Sequence, residues 1–355
     1  MRLLSFARND NRKNRKYVIM EFLILSQKIY LGFLVGFIGL VIGSFLNVVA
    51  LRLLAGKDFV KGRSKCPKCE NLIVWYDNIP VLSYILLRGK CRKCGEKISI
   101  QYPIVELFTG AIFIATLIMF GFTLKTLFFL FLICNLIVIT ITDLKEQYIF
   151  DINSMPLIPL GLAYNFFDIG NNSVGTLKIL GITFNDVFVS AIIGAVLGVA
   201  FFEILSRLGL LLAGEYAFGA GDSILGAALG AWFGWKLLII ILIISFLSQL
   251  VVGVPIITYN MFKAKDKQSL WAMATLFLAL GLTFLGRYFT YTGKPFIALS
   301  IIFLSFALAG GSIFVILKRT RERQSHTFLP FGPSLVIAGF LVMFFSEKLL
   351  NYVPF

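Results

Sequence analysis

The chain has a single histidine, no Ser, His and Asp set of the kind that hydrolyses esters or peptides, and no glycine-rich loop that could cradle a phosphate. A histidine-built metal centre, a serine-type catalytic triad and a phosphate-loop enzyme are therefore outside its means. Charge is also scarce, 14% of 355 residues, and acids are scarcest, with 18 Asp and Glu against 33 Lys and Arg. With 58% hydrophobic residues, that balance excludes a water-soluble globular domain. Short alternating segments are missing, which excludes a membrane β-barrel. The first 28 residues are basic up to Lys16, then weakly apolar, and they lack a small-residue cleavage site. They do not read as a cleaved signal peptide.

What is present is long apolar sequence. Ten segments stand out, at 29–54, 103–120, 124–142, 152–167, 187–213, 223–235, 237–262, 270–285, 295–317 and 330–345. Crossing a bilayer core takes roughly 20 apolar residues in a helix. The chain reads as an all-α polytopic membrane protein of about ten transmembrane segments. The sixth segment is short and rich in Gly and Ala, as for a tightly packed or re-entrant span. Gly194, Gly198, Gly226 and Gly230 read as points of close helix packing.

The net charge of +15 does not point to nucleic acid. The basic residues sit in short loops beside apolar segments, the positive-inside pattern that meets anionic lipid head groups. Loop 57–97 carries ten Lys and Arg against four acids. Lys263, Lys265 and Lys267 mark a second basic loop, and Lys318, Arg319, Arg321 and Arg323 a third. The alternate loops, 171–185 and 287–294, hold few charges. Cytosolic basic loops are consistent with all ten segments. The basic tail, with six Lys and Arg in its first sixteen residues, then falls outside; a start at Met20 removes that conflict. His326 lies in a basic loop and reads as solvated.

The first basic loop carries two Cys-x-x-Cys pairs, Cys66/Cys69 and Cys91/Cys94, separated by twenty-one residues. Two such pairs suit a tetrahedral Zn2+ site, each clamping from a tight turn. Four thiolate ligands leave no open position, so the zinc is expected to be structural. A reducing cytosol disfavours a disulfide there. Cys134 lies within a span and reads as a small buried residue.

Acids at membrane depth are costly and are functional candidates by default. Asp143 ends the third segment and Asp222 closes Gly-Ala-Gly-Asp at the start of the sixth. Both fall on the cytosolic side and can meet in one plane. Two carboxylates sharing a proton supply one base, which activates water, and one acid, which protonates a peptide carbonyl oxygen. Gly219 and Gly221 would let a substrate backbone approach and Asp222 turn inward. Asp222 could equally cap its helix, and Asp143 could be an ordinary interfacial acid beside Lys145. Glu106, inside the second segment, is a candidate contact for a substrate or small ligand, or an interhelical brace. Asp77 and Asp151 are candidate partners for a basic peptide, or solvated loop acids.

These motifs, in this order, resemble the type IV prepilin peptidases, membrane aspartic proteases of type IV pilus and type II secretion systems. Gly43-Ser44-Phe45-Leu46-Asn47-Val48-Val49 with Arg52 resembles the family's first-span signature. Cys66 to Cys94, with Trp75-Tyr76-Asp77-Asn78-Ile79-Pro80 and Leu86-Leu87-Arg88-Gly89-Lys90, resembles its zinc loop. Tyr102-Pro103-Ile104-Val105-Glu106 matches the start of its second span. Asp143 and Gly219-Ala220-Gly221-Asp222 fall on its catalytic positions, and Pro330-Phe331-Gly332-Pro333 resembles the tetrapeptide opening its last span.

The resemblance implies prepilins or pseudopilins as protein substrates, cut after a leader Gly on the cytosolic side of the bacterial inner membrane. It also implies methylation of the new N-terminus with S-adenosylmethionine. Peptidase activity without methylation, and a non-enzymatic zinc-bearing scaffold that binds pilin-like helices, are the competing readings. The family's usual Lys two residues after the second Asp is Ile224 here. The expected organisation is a basic tail (1–28), a first span (29–54), the cysteine loop (55–102), a membrane core with both aspartates (103–262), two inserted spans (263–317), and a basic loop with the last span (318–355).

Overall fold

The computed structural model describes residues 29–58, 62–169, 175–179, 182–214, 216–263, 265–292, 295–323 and 330–352. The basic tail and His326 lie outside them. Helix α1 (Ile29–Leu54) is followed by a 3-10 turn (Trp75–Asn78), then α2 (Leu82–Leu86), α3 (Gln101–Phe120), α4 (Leu124–Glu146), α5 (Asp151–Ser154) and α6 (Leu157–Phe166). A hairpin of β1 (Thr176–Ile179) and β2 (Ile182–Asn185) leads to α7 (Asp186–Ala213), α8 (Ala220–Lys263), α9 (Lys267–Tyr291), α10 (Pro295–Arg323) and α11 (Gly332–Tyr352).

Six of these helices, α1, α3, α4, α7, α8 and α9, are long and apolar enough to cross a membrane, and α10 and α11 carry shorter apolar stretches. At 1.5 Å per residue, α3 with its 20 residues spans about 30 Å, the thickness of the hydrocarbon core. Large apolar side chains stand exposed on these helices, Phe33, Ile118, Val251 and Phe303 among them. On helices of spanning length such surface suits contact with lipid. The chain is a multi-pass membrane protein.

All ten expected segments fall on helices, with two local differences. The fourth is broken: α5 has four residues and α6 ten, separated at Met155 and Pro156. Pro156 has no N–H to continue α5 and restricts the residue before it. The sixth and seventh run together as α8, 44 residues long, interrupted at Gly234 with φ 75° and ψ 171°. Only glycine adopts that backbone readily. The β1–β2 hairpin, antiparallel with Thr176 opposite Asn185, was not expected in an all-helical chain.

The chain divides into two compact units, one of residues 1–142 and 169–171, the other of 143–168 and 172–355. In the first unit α1 lies directly on α3. A Cβ on Gly39 would sit 2.8 Å from the Cα of Gly110, and one on Gly43 would sit 2.9 Å from the Cα of Glu106. Buried Asn47 ties the ends of these helices: its Nδ2 donates to the Tyr102 carbonyl, and Gln101 Nε2 donates to its Oδ1.

In the second unit α7 and α8 meet through glycines. A Cβ on Gly194 would lie 2.5 Å from the Gly230 carbonyl oxygen, and one on Gly198 would lie 2.3 Å from that of Gly226. The backbone contact expected at these four positions is present. Helix α11 also packs on α8, burying Leu335, Val336, Ala338 and Val342. The Gly234 break lies beside a buried side-chain donor. Asn165 Nδ2 donates there to Ala231 O at 2.8 Å and to Trp232 O at 3.2 Å, which ties α6 to the turn before the break. Helices α9 and α10 form an antiparallel pair with hydroxyls between them: Thr275 Oγ1 to Ser312 Oγ at 2.7 Å, and Thr283 Oγ1 to Ser305 Oγ at 3.2 Å.

Candidate active site

The first unit holds the cysteines on two similar turns. Lys65 bridges Leu72 around the first, and Lys90 bridges Lys97 around the second. Cys66 N–H donates to Asn71 O and Cys91 N–H to Glu96 O, while Glu70 N–H and Gly95 N–H return to the two leading cysteines' carbonyls. The tight return needs a left-handed residue, which is Glu70 (φ 54°) in one turn and Gly95 (φ 72°) in the other. The result gathers all four Sγ atoms within 4.8 Å of one another. Cys66 and Cys94 sulfurs lie 3.8 Å apart. Zn–S bonds of about 2.3 Å in a tetrahedron require an S···S edge of about 3.8 Å. The residues fit a Zn(Cys)4 centre.

Backbone N–H groups of Cys69 and Lys68 draw the Cys66 thiol below its ordinary value, and that of Asn71 does the same for Cys69. At Cys94 the Glu96 N–H also pulls downward, but burial and the three neighbouring thiols outweigh it and push Cys94 up to about 12. A cation is the natural way to hold four thiolates this close. Lys68 pairs with Glu96 across the two turns. Arg92 forks onto Asp77, Nη2 to Oδ1 at 2.6 Å and Nε to Oδ2 at 2.9 Å, and lies over the Tyr76 ring. The guanidinium holds the Asp77 carboxyl below the usual carboxylate range. Asp77 is thus occupied as a clamp of the cysteine loop.

Glu106 is 5% exposed. Its Oε2 accepts from Val81 N–H at 2.7 Å. Val81 is a β-branched residue at φ 61°, a conformation that persists only when its surroundings hold it. Glu106 is that brace. Nearby, Ser44, Arg52, Ser64, Asn78, Pro80 and the apolar face of α1 line a cavity of about 380 Å³.

The second unit holds both aspartates. Asp143, 5% exposed, ends α4. Its Oδ2 accepts from the N–H of Gly332, the first residue of α11, at 2.9 Å. A Cβ on Gly332 would lie 2.6 Å from that same oxygen, so the carboxylate rests on bare backbone. Asp222 sits in the first turn of α8 and accepts from Gly219 N–H at 3.1 Å. Both aspartates belong to the same compact unit.

Gly221 is required by packing, since its Cβ would meet Ile149 Cβ at 2.6 Å. Gly219 has open surroundings beyond Asp222, room through which a peptide could approach. Asp151 is exposed on α5. Glu203, beside the site through Ser223, is paired with Arg207.

Two features escaped sequence reasoning. One is the Gly332 N–H on Asp143, for which Pro330-Phe331-Gly332-Pro333 was the only signal. The other is an aromatic cluster beside the aspartates, in which Phe202, Phe218, Phe246 and Phe331 meet with centroids 5.0–6.3 Å apart.

Fold and site together define a multi-pass helical membrane protein with two carboxylates held by glycine N–H groups in one unit and four cysteines positioned to bind a metal ion. Residues 37–120 match the bacterial peptidase A24 N-terminal domain, and residues 130–254 match the type IV leader peptidase family. A prepilin leader peptidase/N-methyltransferase of Myxococcus xanthus is 37% identical over 61% of this chain and 60% of its own length. The chain therefore spans less than two thirds of that relative. Proteins of the same name from Neisseria gonorrhoeae and Legionella pneumophila are 36% and 32% identical, covering 61% and 67% of this chain and 79% and 86% of their own. No solved structure matches the chain. The chain belongs to the type IV leader peptidase family. The matched regions end at residue 254, before α9, so the α9–α10 pair lies outside them.

Proposed function

We propose that the protein is a prepilin peptidase that removes the leader of type IV prepilins or pseudopilins after Gly, at the cytosolic face of the inner membrane. The observation that carries this is the pairing of Asp143 and Asp222, each held by a glycine N–H, in one unit of a membrane protein. Asp143 and Asp222 share one proton. The ionised carboxylate takes a proton from water as its oxygen attacks the scissile carbonyl carbon, and the protonated one gives its proton to the carbonyl oxygen. Collapse of the tetrahedral intermediate breaks the C–N bond and returns a proton to the leaving amine. The dyad would titrate as a coupled pair. Asp151 is available to a basic leader from its exposed position.

The zinc, held by Cys66, Cys69, Cys91 and Cys94, would supply folding energy to the loop and no open coordination site. The new N-terminus would be methylated by S-adenosylmethionine, which supplies the methyl group when bound. The cavity edged by Ser44, Arg52, Ser64 and Asn78 has the size and mixed lining of a small-molecule site.

Purified protein in detergent with a prepilin tests the reading. Asp143→Ala and Asp222→Ala should each lower cleavage by at least about 10³-fold while the protein still folds. Substantial cutting by either variant would overturn the dyad. The mass of the new N-terminus, with and without S-adenosylmethionine, decides methylation.

A further inference from the structure

We propose that Phe218 and Phe331 are positioning residues that set the two aspartates in register, an inference that rests on the dyad reading above. Each aspartate accepts from the N–H of a glycine, and each of those glycines directly follows a phenylalanine. Phe218 precedes Gly219, which donates to Asp222; Phe331 precedes Gly332, which donates to Asp143. The two rings touch edge to face, with centroids 5.2 Å apart and planes at 78°. Segments distant in the chain, the Gly-Ala-Gly-Asp turn and the start of α11, are thus joined through the residues that aim their donors.

Neither ring is free to shift. Fully buried Phe202 lies against both, at 5.2 Å from Phe218 and 5.9 Å from Phe331. The Phe218 carbonyl is held by Ser206 Oγ at 2.7 Å, which fixes the peptide plane ahead of Gly219. Because Asp143 Oδ2 rests directly on the Gly332 backbone, a displacement of the Phe331 ring moves the donor and the carboxylate together. Dyad catalysis depends on spacing, and a misplacement near 1 Å costs about 10²-fold in rate.

Simple core packing is the competing explanation, and Phe246 separates the two. Its ring touches Phe331 at 5.0 Å and Phe218 at 6.3 Å, but Leu247 follows it, and neither residue donates to an aspartate. The full chain in detergent, with a purified prepilin, would be assayed for kcat, KM and thermal unfolding. Phe331→Ala should lower kcat about 10–100-fold with KM held within about threefold. Phe331→Leu should recover about two- to threefold of that loss, and Phe246→Ala should lower kcat by less than about threefold.

If Phe331→Ala does not fold, Phe331→Leu takes its place, with a kcat still below that of Phe246→Ala. Equal kcat losses in Phe331 and Phe246 variants of matched stability, or a change confined to KM, overturn the positioning role. Asp143→Asn and Asp222→Asn run alongside. If they abolish cutting while Phe331→Ala leaves kcat intact, the positioning inference alone fails; if they still cut, the dyad reading fails first.

Discussion

The cysteine loop and the aspartate site solve opposite problems. Around the cysteines, precision comes from charge: four thiols within 4.8 Å, the Lys68–Glu96 pair and the Asp77–Arg92 fork. Around the aspartates it comes from bare backbone and rings, with glycine N–H groups as the donors and phenylalanines packed behind them. Ion pairs suit a loop that water reaches, because surface partners are cheap to desolvate. Beside a buried carboxylate such as Asp143 a compensating charge would have to be buried too, whereas a backbone N–H stabilises the carboxylate without one. Two sites in one chain thus use different means because their charged groups differ in burial.

The sharpest way to break this contrast is to disable one site and read both. Cys66→Ser should reduce bound zinc by at least about tenfold, since one of four ligands is gone. It should impair methylation far more than cutting. Asp222→Ala should do the reverse when an already cleaved pilin is supplied for methylation, leaving zinc content unchanged. Metal analysis and cleavage assays on the same preparations measure both, and parallel loss of zinc and cutting in Cys66→Ser would show that the two sites are not separable.

A smaller effect tests the backbone economy of the second unit. Asn165 donates to the Ala231 and Trp232 carbonyls just before the Gly234 break. Asn165→Ala should destabilise the protein by about 2 kcal/mol, the cost of leaving buried acceptors unpaired. Thermal unfolding in detergent reads this, and an unchanged midpoint would mean that another donor moves in.

Much of this was legible in the sequence, for identifiable reasons. Apolar length placed the helical segments, and six of the helices reach the length that a bilayer requires. The boundary between the sixth and seventh was drawn at Lys236, the charge between two apolar runs, two residues past the backbone break at Gly234. Cysteine spacing announced the knuckle because both halves are local turns. The broken fourth segment was written in Pro156 but outweighed by its hydropathy. The donors on the aspartates were not legible. Gly332 reaches Asp143 across 189 positions, and no local pattern encodes a pairing of two Phe-Gly steps so far apart.

The smallest expected effect compares the two cysteine turns with each other. Both need a left-handed residue after the second cysteine; one supplies Gly95 and the other Glu70, at φ 72° and 54°. A side chain in that region costs about 1–2 kcal/mol, while glycine gives back about 0.5–1 kcal/mol through the greater freedom of the unfolded chain. Glu70 is exposed, so little packing is lost with its side chain. Glu70→Gly should therefore stabilise the loop by about 0.5–1 kcal/mol, seen as slower zinc release to a chelator. Gly95→Ala should cost a similar amount and speed release. Opposite signs at equivalent positions would establish the two turns as one design used twice; equal signs would show that Glu70 contributes through its side chain, and that the likeness ends at the backbone.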